Sequence, residues 1–441
     1  MRQTVPALAA AASLLLVAPA WAQPVDFAAL FHQAEAFHES VGAARDRAVQ
    51  AAEERDKVLA NLLPTVTLDG SVNRRADSKT SGTAVIRTEE TRTASITVDQ
   101  PLYTGGRAST QLRIATIAQA AGGIGVHVSR EALLFDVAQA YFAVLKAEED
   151  LVTVRDRLDG MRQQLEAARA RVRLGADVRA SALRLEAEVA GLEADRAAAE
   201  QAVASTRDQL ALLAGADPGM ELGAPPDLAP VQALADPAAA ALVHRADLRL
   251  LEGEVKAADL GVRYTTGRFL PFVNLEGTWQ KQNQTPKLSF VPDQDASVTL
   301  RATWDLYNGG EDASERARAR AALHERQLGY ARLEREIRVQ VAQALREVKT
   351  SQRRVDARAN ALTSAAENHR IVSETYKAGA ATYLDVIDAS DALGDARRNL
   401  VNARHDHSLA LLSLSQATGL LLTLVGEELP ALDDRERWLA R

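Results

Sequence analysis

VDQPLYTGGRAS (residues 98–109) returns as ATWDLYNGGEDAS (residues 302–314). Tyr103 and Tyr307 stand 204 positions apart, and so do the glycine pairs Gly105-Gly106 and Gly309-Gly310. The same offset links VAQA at Val137 to VAQA at Val341, Gly175 in RVRLGAD to Gly379 in TYKAGAA, and Gly215 to Gly419. LPTVTLDGSV and LPFVNLEGTW, with Pro64 and Pro271, stand 207 apart. The first copy therefore carries three extra residues between its proline and its tyrosine, in a hairpin loop. One register held across five motifs marks a duplication, the first thing to seek in a long chain.

Each copy reads in the same order: helix, two strands, long helix, turn, helix. The first helix is expected from about Phe27 to Leu62, and its counterpart from about Pro237 to Gly267, each ended by a proline that disfavours helix before it. Strands follow. Val66, Leu68, Gly70 and Val72 alternate with Thr65, Thr67, Asp69 and Ser71; Ile96 and Val98 alternate with Thr97 and Asp99. In the second copy Val273, Leu275, Gly277 and Trp279 oppose Asn274, Glu276 and Thr278; Val298, Leu300, Ala302, Trp304 and Leu306 oppose Thr299, Arg301, Thr303 and Asp305. Period two over about ten residues fits a tilted transmembrane strand, and equally a two-sided soluble hairpin. The intervening NRRADSKTSGTAVIRTEE (residues 73–90) is polar.

From Gly106 to Leu174 there is no proline. As one helix this span is on the order of 100 Å long. Leu134, Val137, Tyr141, Val144, Leu151, Val154, Leu158, Met161, Leu165, Ala168 and Val172 follow heptad spacing, the seam of a coiled coil. Its counterpart from Glu311 to Ala378 carries Val341, Leu345, Val348, Val355, Ala359, Leu362 and Ala366. Gly122, Gly123 and Gly125 inside the first long helix fit either close helix approach or a bend. Gly175 and Gly379 are placed to cap these helices in a left-handed turn. Asp177 and Thr382 can cap the returning helices, which run to about Ala214 and Thr418. Each copy is thus an antiparallel coiled-coil hairpin with a turn at its far tip. GADPGMELGAPPDLAPVQALADP (residues 215–237) reads as a joining segment with little regular structure.

The chain therefore divides into residues 1–22, a secretory signal; 23–214, the first repeat; 215–236, the linker; 237–419, the second repeat; and 420–441, a tail. The signal rests on Arg2, the short apolar run Leu8–Val17 and the small-x-small site Ala20-Trp21-Ala22, with cleavage after Ala22. An uncleaved anchor is the competing reading. No later segment has the apolar run of a membrane helix, so an exported chain that spans the outer membrane must do so as a β-barrel.

Composition excludes much. Alanine is about a fifth of the 441 residues, well above ordinary usage, and favours helix. A net charge of −7 gives no basic footprint for nucleic acid. The absence of cysteine removes disulfides, thiolate metal sites and thiol nucleophiles. His405 and His407, two apart, do not share a helix face, so no metal site is read there. His32, His38, His127, His244, His324 and His369 are scattered, and no Ser/His/Asp set stands out. The glycine pairs read as strand-to-helix turns rather than nucleotide loops. Trp279 and Trp304 fit interfacial aromatics or barrel-wall packing. No cofactor, metal or catalytic activity is expected.

Four strands cannot close a barrel, and open edges are not viable in lipid. At least two chains must share one barrel; three would give about twelve strands. On the signal segment, the duplicated order, LPxVxLxG, QPLYTGG, LGAD and YKAGAATYLDVIDA, the chain resembles the TolC-type outer-membrane efflux proteins over essentially its whole mature length. The resemblance implies a mainly α fold with a β-barrel part. It implies a homotrimer with a twelve-stranded barrel in outer-membrane lipid and a long α-helical tunnel in the periplasm. Partners would be a periplasmic adaptor and an inner-membrane transporter, in efflux or type I secretion, with the channel passive.

The resemblance also assigns the periplasmic gate. Tyr376 matches a constricting tyrosine, and Asp385 and Asp388 match acids that ring the pore. Ala381 stands where the family has an arginine tying the closed state, and Ser181 where it has the tyrosine's aspartate partner. The latch is therefore expected to be looser or different. Gly175, Ala176, Asp177, Gly379, Ala380 and Ala381 would form the adaptor-docking tips. By spacing alone, Asp385 and Asp388 share one helix face and read first as solvated acids near a helix start; it is the resemblance that reverses this. A periplasmic adaptor with one hairpin and small β domains is the alternative function, and a secreted hydrolase a third.

Overall fold

The computed structural model describes residues 24–82, 84–175, 178–228, 234–288 and 291–427. The expected signal segment, Ala176 and Asp177 at the first tip, and residues 428–441 of the tail lie outside them.

The elements appear in duplicate. Helices α1 (Phe27–Phe37) and α2 (Glu39–Ala60) precede strands β1 (Thr65–Arg74), β2 (Lys79–Ser81), β3 (Ala84–Arg87) and β4 (Glu90–Tyr103). The hairpin α3 (Arg107–Arg173) and α4 (Arg179–Ala214) follows. The second copy holds α5 (Pro237–His244), α6 (Ala246–Thr266), β5 (Phe272–Thr285), β6 (Gln294–Thr303), α7 (Glu311–Lys377) and α8 (Tyr383–Thr418). Both long helices have 67 residues and both returning helices 36, so the copies match in length as well as in motif.

The opening helix of each copy is broken rather than continuous. His38 and Arg245 are extended, at ψ 129° and 123°. They stand 207 apart, so the break is duplicated too. His38 Nδ1 accepts from the Ser40 amide at 3.3 Å, and Arg245 pairs with Asp247 at 2.5 Å; each restarts the helix in a new direction. That turn lets Phe27, Leu30 and Phe31 enter a core with Leu134, Val137, Tyr141, Leu210, Leu412 and Leu421. The Phe27 and Tyr141 rings meet edge-on at 5.4 Å.

The joining segment is irregular but packed. Tyr141 donates its hydroxyl to the Gly223 carbonyl at 2.7 Å, and Val25 bridges to Leu222. Leu228 is buried against Phe142 and Leu411. Burial pushes the Tyr141 hydroxyl up to about 12. In the tail, Leu421 and Leu422 join the same core through a short 3-10 turn.

One antiparallel sheet runs β1-β4-β5-β6, so the central β4–β5 pair joins the two repeats. The first hairpin's polar loop is more than a loop: β2 and β3 form a small hairpin inside it. β6 stops at Thr303, short of the expected Trp304 and Leu306. Its partner β5 begins at Phe272, opposite Thr303, because Pro271 has no N–H to give; the next residues have nothing to pair with. Trp304 instead donates its indole N–H to the Phe269 carbonyl at 3.0 Å, at the junction of sheet and helices. Strand turns to helix through left-handed glycines. Gly105 (φ 64°) lies so close to Gly267 that a Cβ there would sit 2.4 Å from the Gly267 carbonyl oxygen.

α3 runs unbroken through its glycines. A Cβ on Gly122 would meet the Ala48 Cα at 3.1 Å, whereas Gly123 and Gly125 face open space. Close approach of α2, not a bend, explains Gly122. The α3 seam residues Leu151, Leu158, Met161, Leu165 and Ala168 are buried. The α7 seam is thinner: Val341 is buried, the next residues are half-covered and Ala366 is exposed. No helix among the described residues is long and apolar enough to cross a membrane.

Candidate entrance gate at the hairpin tips

Each long helix ends at a glycine where the chain must reverse. Gly379, at φ 80°, closes α7: its N–H donates to the Tyr376 carbonyl at 3.0 Å and the Ala380 N–H to the Thr375 carbonyl at 2.9 Å. This double bond pattern satisfies the helix's last carbonyls and needs a left-handed residue. Gly175, at φ 71°, closes α3 with the bond that matches Gly379's, donating to the Val172 carbonyl at 3.1 Å.

The return helices start differently. Thr382 caps α8 with a full capping box: the Asp385 N–H donates to Thr382 Oγ1 at 3.3 Å, and Asp385 Oδ2 accepts from the Thr382 N–H at 2.7 Å and hydroxyl at 2.6 Å. Those bonds hold the Asp385 carboxyl below the usual carboxylate range, the hydroxyl bond contributing most. The N-cap of α4 is Val178, which makes no side-chain cap bond; the capping residue expected there, Asp177, lies outside the described residues.

The tips converge on one hollow of about 530 Å³ lined by Ser181, Tyr376, Gly379 and Ala381, together with Arg171 and Tyr383. Four of the residues singled out from sequence thus come together. Asp385 and Asp388 do not line it. They are exposed on α8, while the neighbouring Val386 and Ala389 are buried, so the acids lie off the face that packs on the protein. Ala380 and Gly175 are exposed at the turns.

Two residues not foreseen organise the hollow. The Arg171 guanidinium lies 4.4 Å over the Tyr376 ring, a cation–π contact between the first hairpin and the second. Tyr383 meets Tyr376 edge-on at 6.3 Å and packs against the buried seam of Leu158, Met161, Leu165, Leu185 and Leu192. Burial, with Glu188 nearby, pushes the Tyr383 hydroxyl well above its ordinary value. A signal for both existed: each sits within a turn and a half of a tip glycine. Nothing in the sequence told which hairpin they would reach across to. Among the described residues no cluster of three acidic or imidazole groups is placed to hold a metal.

The sheet at the opposite end has an unusual burial. Along β4 the polar Thr93, Ser95, Thr97 and Asp99 are half-buried, while Ala94, Ile96 and Val98 are exposed. On β5 Gln280 and Gln282 are half-buried and Trp279 is exposed. The register aligns Leu68, Ile96, Trp279 and Ala296 across the sheet, then Val66, Val98, Gly277 and Val298. Leu68 is 74% exposed and Val298 77%. Along β4 from Thr93 to Asp99, and at Trp279 and Gln280 of β5, the more covered side is thus polar and the barer side apolar; β1 and β6 are exposed on both faces.

Comparison with known proteins agrees. The sequence profile described as outer membrane efflux protein matches residues 30–216 and again residues 238–420, one match per repeat. The chain is 25% identical over 443 residues to the outer membrane protein TolC of Vibrio cholerae, covering 96% of each. Among solved structures it resembles the outer membrane protein VceC of Vibrio cholerae, with a TM-score of 0.75 and 21% identity over 89% of this chain and 96% of that one. It also resembles CusC, with a TM-score of 0.79 and 18% identity over 89% and 92%. With both repeats matched, the chain belongs to the outer membrane efflux protein family.

Proposed function

We infer that three copies of this chain share one twelve-stranded barrel and one helical tunnel, forming a passive outer-membrane export duct. The inverted sheet carries the reading. In water, a sheet that bares its apolar face and covers its polar one is unfavourable. In lipid the same arrangement puts apolar side chains on hydrocarbon and polar ones on a water-filled lumen. Edge strands β1 and β6 are exposed throughout and unpaired on their outer sides among the described residues. Lipid does not tolerate such edges, and pairing β6 of one copy with β1 of the next removes them. The half-covered α7 seam is consistent with helices that complete their packing in the same assembly.

In this reading Tyr376, Asp385 and Asp388 form the periplasmic entrance, with Ser181 and Ala381 in the adjoining hollow. Gly175, Ala176, Asp177, Gly379 and Ala380 are the tips that an adaptor touches, beneath an inner-membrane transporter that supplies the energy. Six carboxylates from three chains around one axis would favour cations. The signal segment would be removed after Ala22. The duplicated order, with ten- to fourteen-residue strands in both copies, speaks against the single hairpin of an adaptor.

The test is fractionation of expressing cells, detergent extraction and mass determination. A trimer from the outer membrane is the expected result. A soluble periplasmic monomer would sink the duct and revive the adaptor.

A further inference from the structure

The tips are not the only place where the two hairpins meet. About four turns from the α3 terminus, Arg157 is mostly buried, its side chain 16% exposed. Its Nη2 donates to Glu188 Oε1 on α4 at 2.9 Å and to Asp391 Oδ1 on α8 at 2.5 Å. Glu188 belongs to Arg157's own hairpin and Asp391 to the other. Beside them Arg397 of α8 reaches Asp156 of α3 at 3.5 Å. Between the two α8 contacts lies Gly394, which is buried. A Cβ there would come within 3.2 Å of the Arg157 Cδ. The arginine stem therefore crosses α8 at the position where α8 has no side chain.

We propose that Arg157 is a positioning residue for the entrance: it pins the second hairpin to the first in the closed arrangement and gives up Asp391, but keeps Glu188, when the entrance opens. This rests on reading the tips as a gate. The physical argument concerns what release leaves behind. A buried guanidinium deprived of every partner is strongly unfavourable. Glu188 moves with Arg157, so parting from Asp391 breaks one of two charge-assisted bonds and leaves no bare charge. Asp391, 41% exposed, regains water easily. The Arg397–Asp156 pair, at 40% and 61% exposure, is screened by salt and adds little by itself. Gly394 gives the pin its seat. The fork thus makes the closed state specific and its release reversible.

Single-channel conductance of the purified mature protein in planar bilayers tests this, with thermal melting measured on every variant. Asp391→Asn keeps the shape and removes the charge; a several-fold rise in conductance is expected with the melting temperature little changed. Gly394→Val displaces the arginine stem and should give the same rise. Glu188→Gln should stay closed, because the bond across the hairpins survives. The exchange Arg157→Asp with Asp391→Arg should return conductance to the wild-type level, which a loss of packing alone would not do. The proposal is overturned if Asp391→Asn and Gly394→Val both conduct like wild type, or if Glu188→Gln opens the channel as much as Asp391→Asn. Wild-type protein that forms no channel at all would instead overturn the duct reading.

Discussion

If Tyr376 restrains the entrance as proposed, its ring face rather than its hydroxyl carries the restraint: the contact that reaches it from the other hairpin is the Arg171 guanidinium over the ring. A cation–π pair of this kind contributes about 0.5–2 kcal/mol, depending on how dry it is. Tyr376→Phe preserves the face and should leave bilayer conductance near wild type, whereas Tyr376→Ala should raise it, as should Arg171→Gln. A large rise in Tyr376→Phe would move the restraint to the hydroxyl. Gly105 offers a second residue-scale test, of stability. Its left-handed backbone and the Gly267 carbonyl leave no room for a Cβ. Gly105→Ala should lower the melting temperature, through backbone strain of order 1–3 kcal/mol. Gly123→Ala, where a Cβ meets nothing, should raise it slightly through better helix propensity. The offset of 204 brought Gly105 and Gly379 into view, because a duplicated position is visible in the chain itself; Tyr376 came from the family resemblance. The tip glycines marked the neighbourhood of Arg171 and Tyr383 but not their partners, and nothing marked Arg157: their meaning lies in contacts between repeats, and identical offsets say nothing about how one copy leans on the other.

At the scale of elements, the legible features were those fixed by local chemistry. Proline-free heptads gave helices of equal length, left-handed glycines ended them, and alternation gave four strands of a single sheet. The breaks at His38 and Arg245 were missed because neither proline nor glycine marks them; the turn exists to bring Phe27 and Phe31 into the core. The loss of Trp304 from β6 was missed for a related reason: alternation continues past the point where the partner strand begins. The packing of α8 against α3 and α7 carries a pH dependence. Burial depresses His405, with Lys146 adding to the effect and Asp406, Asp150 and the Phe142 carbonyl opposing it. Burial likewise depresses His407, opposed by Asp356; its Nδ1 lies 3.0 Å from the Ser351 hydroxyl. Both histidines then bind protons less readily folded than unfolded. As pH falls below about 6.5, the unfolded chain takes up protons that the folded one refuses, so stability falls across the window down to the depressed folded values. Thermal melting should drop between pH 7 and 5.5, and the drop should shrink in the His405→Gln, His407→Gln double variant. An unchanged drop would place the acid sensitivity elsewhere.

For the whole molecule, the question is which side of the sheet meets lipid, and two neighbouring residues on β1 decide it. Thr67 pairs with Thr97 on the polar face; Leu68 pairs with Ile96 on the apolar one. They share a strand, an edge and nearly a depth, so a lysine at each differs chiefly in the medium it enters. A lysine facing lipid near the bilayer midplane costs about 2–4 kcal/mol per site, and one facing a wet lumen much less. A trimer would multiply the cost threefold, since each copy carries the substitution. Leu68→Lys should therefore lose the outer-membrane trimer, read as the assembled band in the membrane fraction. Thr67→Lys should assemble and shift the reversal potential of the reconstituted channel toward anions, because three new cations line its bore. The reverse pattern, with Leu68→Lys tolerated and Thr67→Lys lost, would mean that the apolar face meets water and the polar face packs on protein. The strands would then belong to a soluble domain, and neither the shared barrel nor the duct built on it would stand.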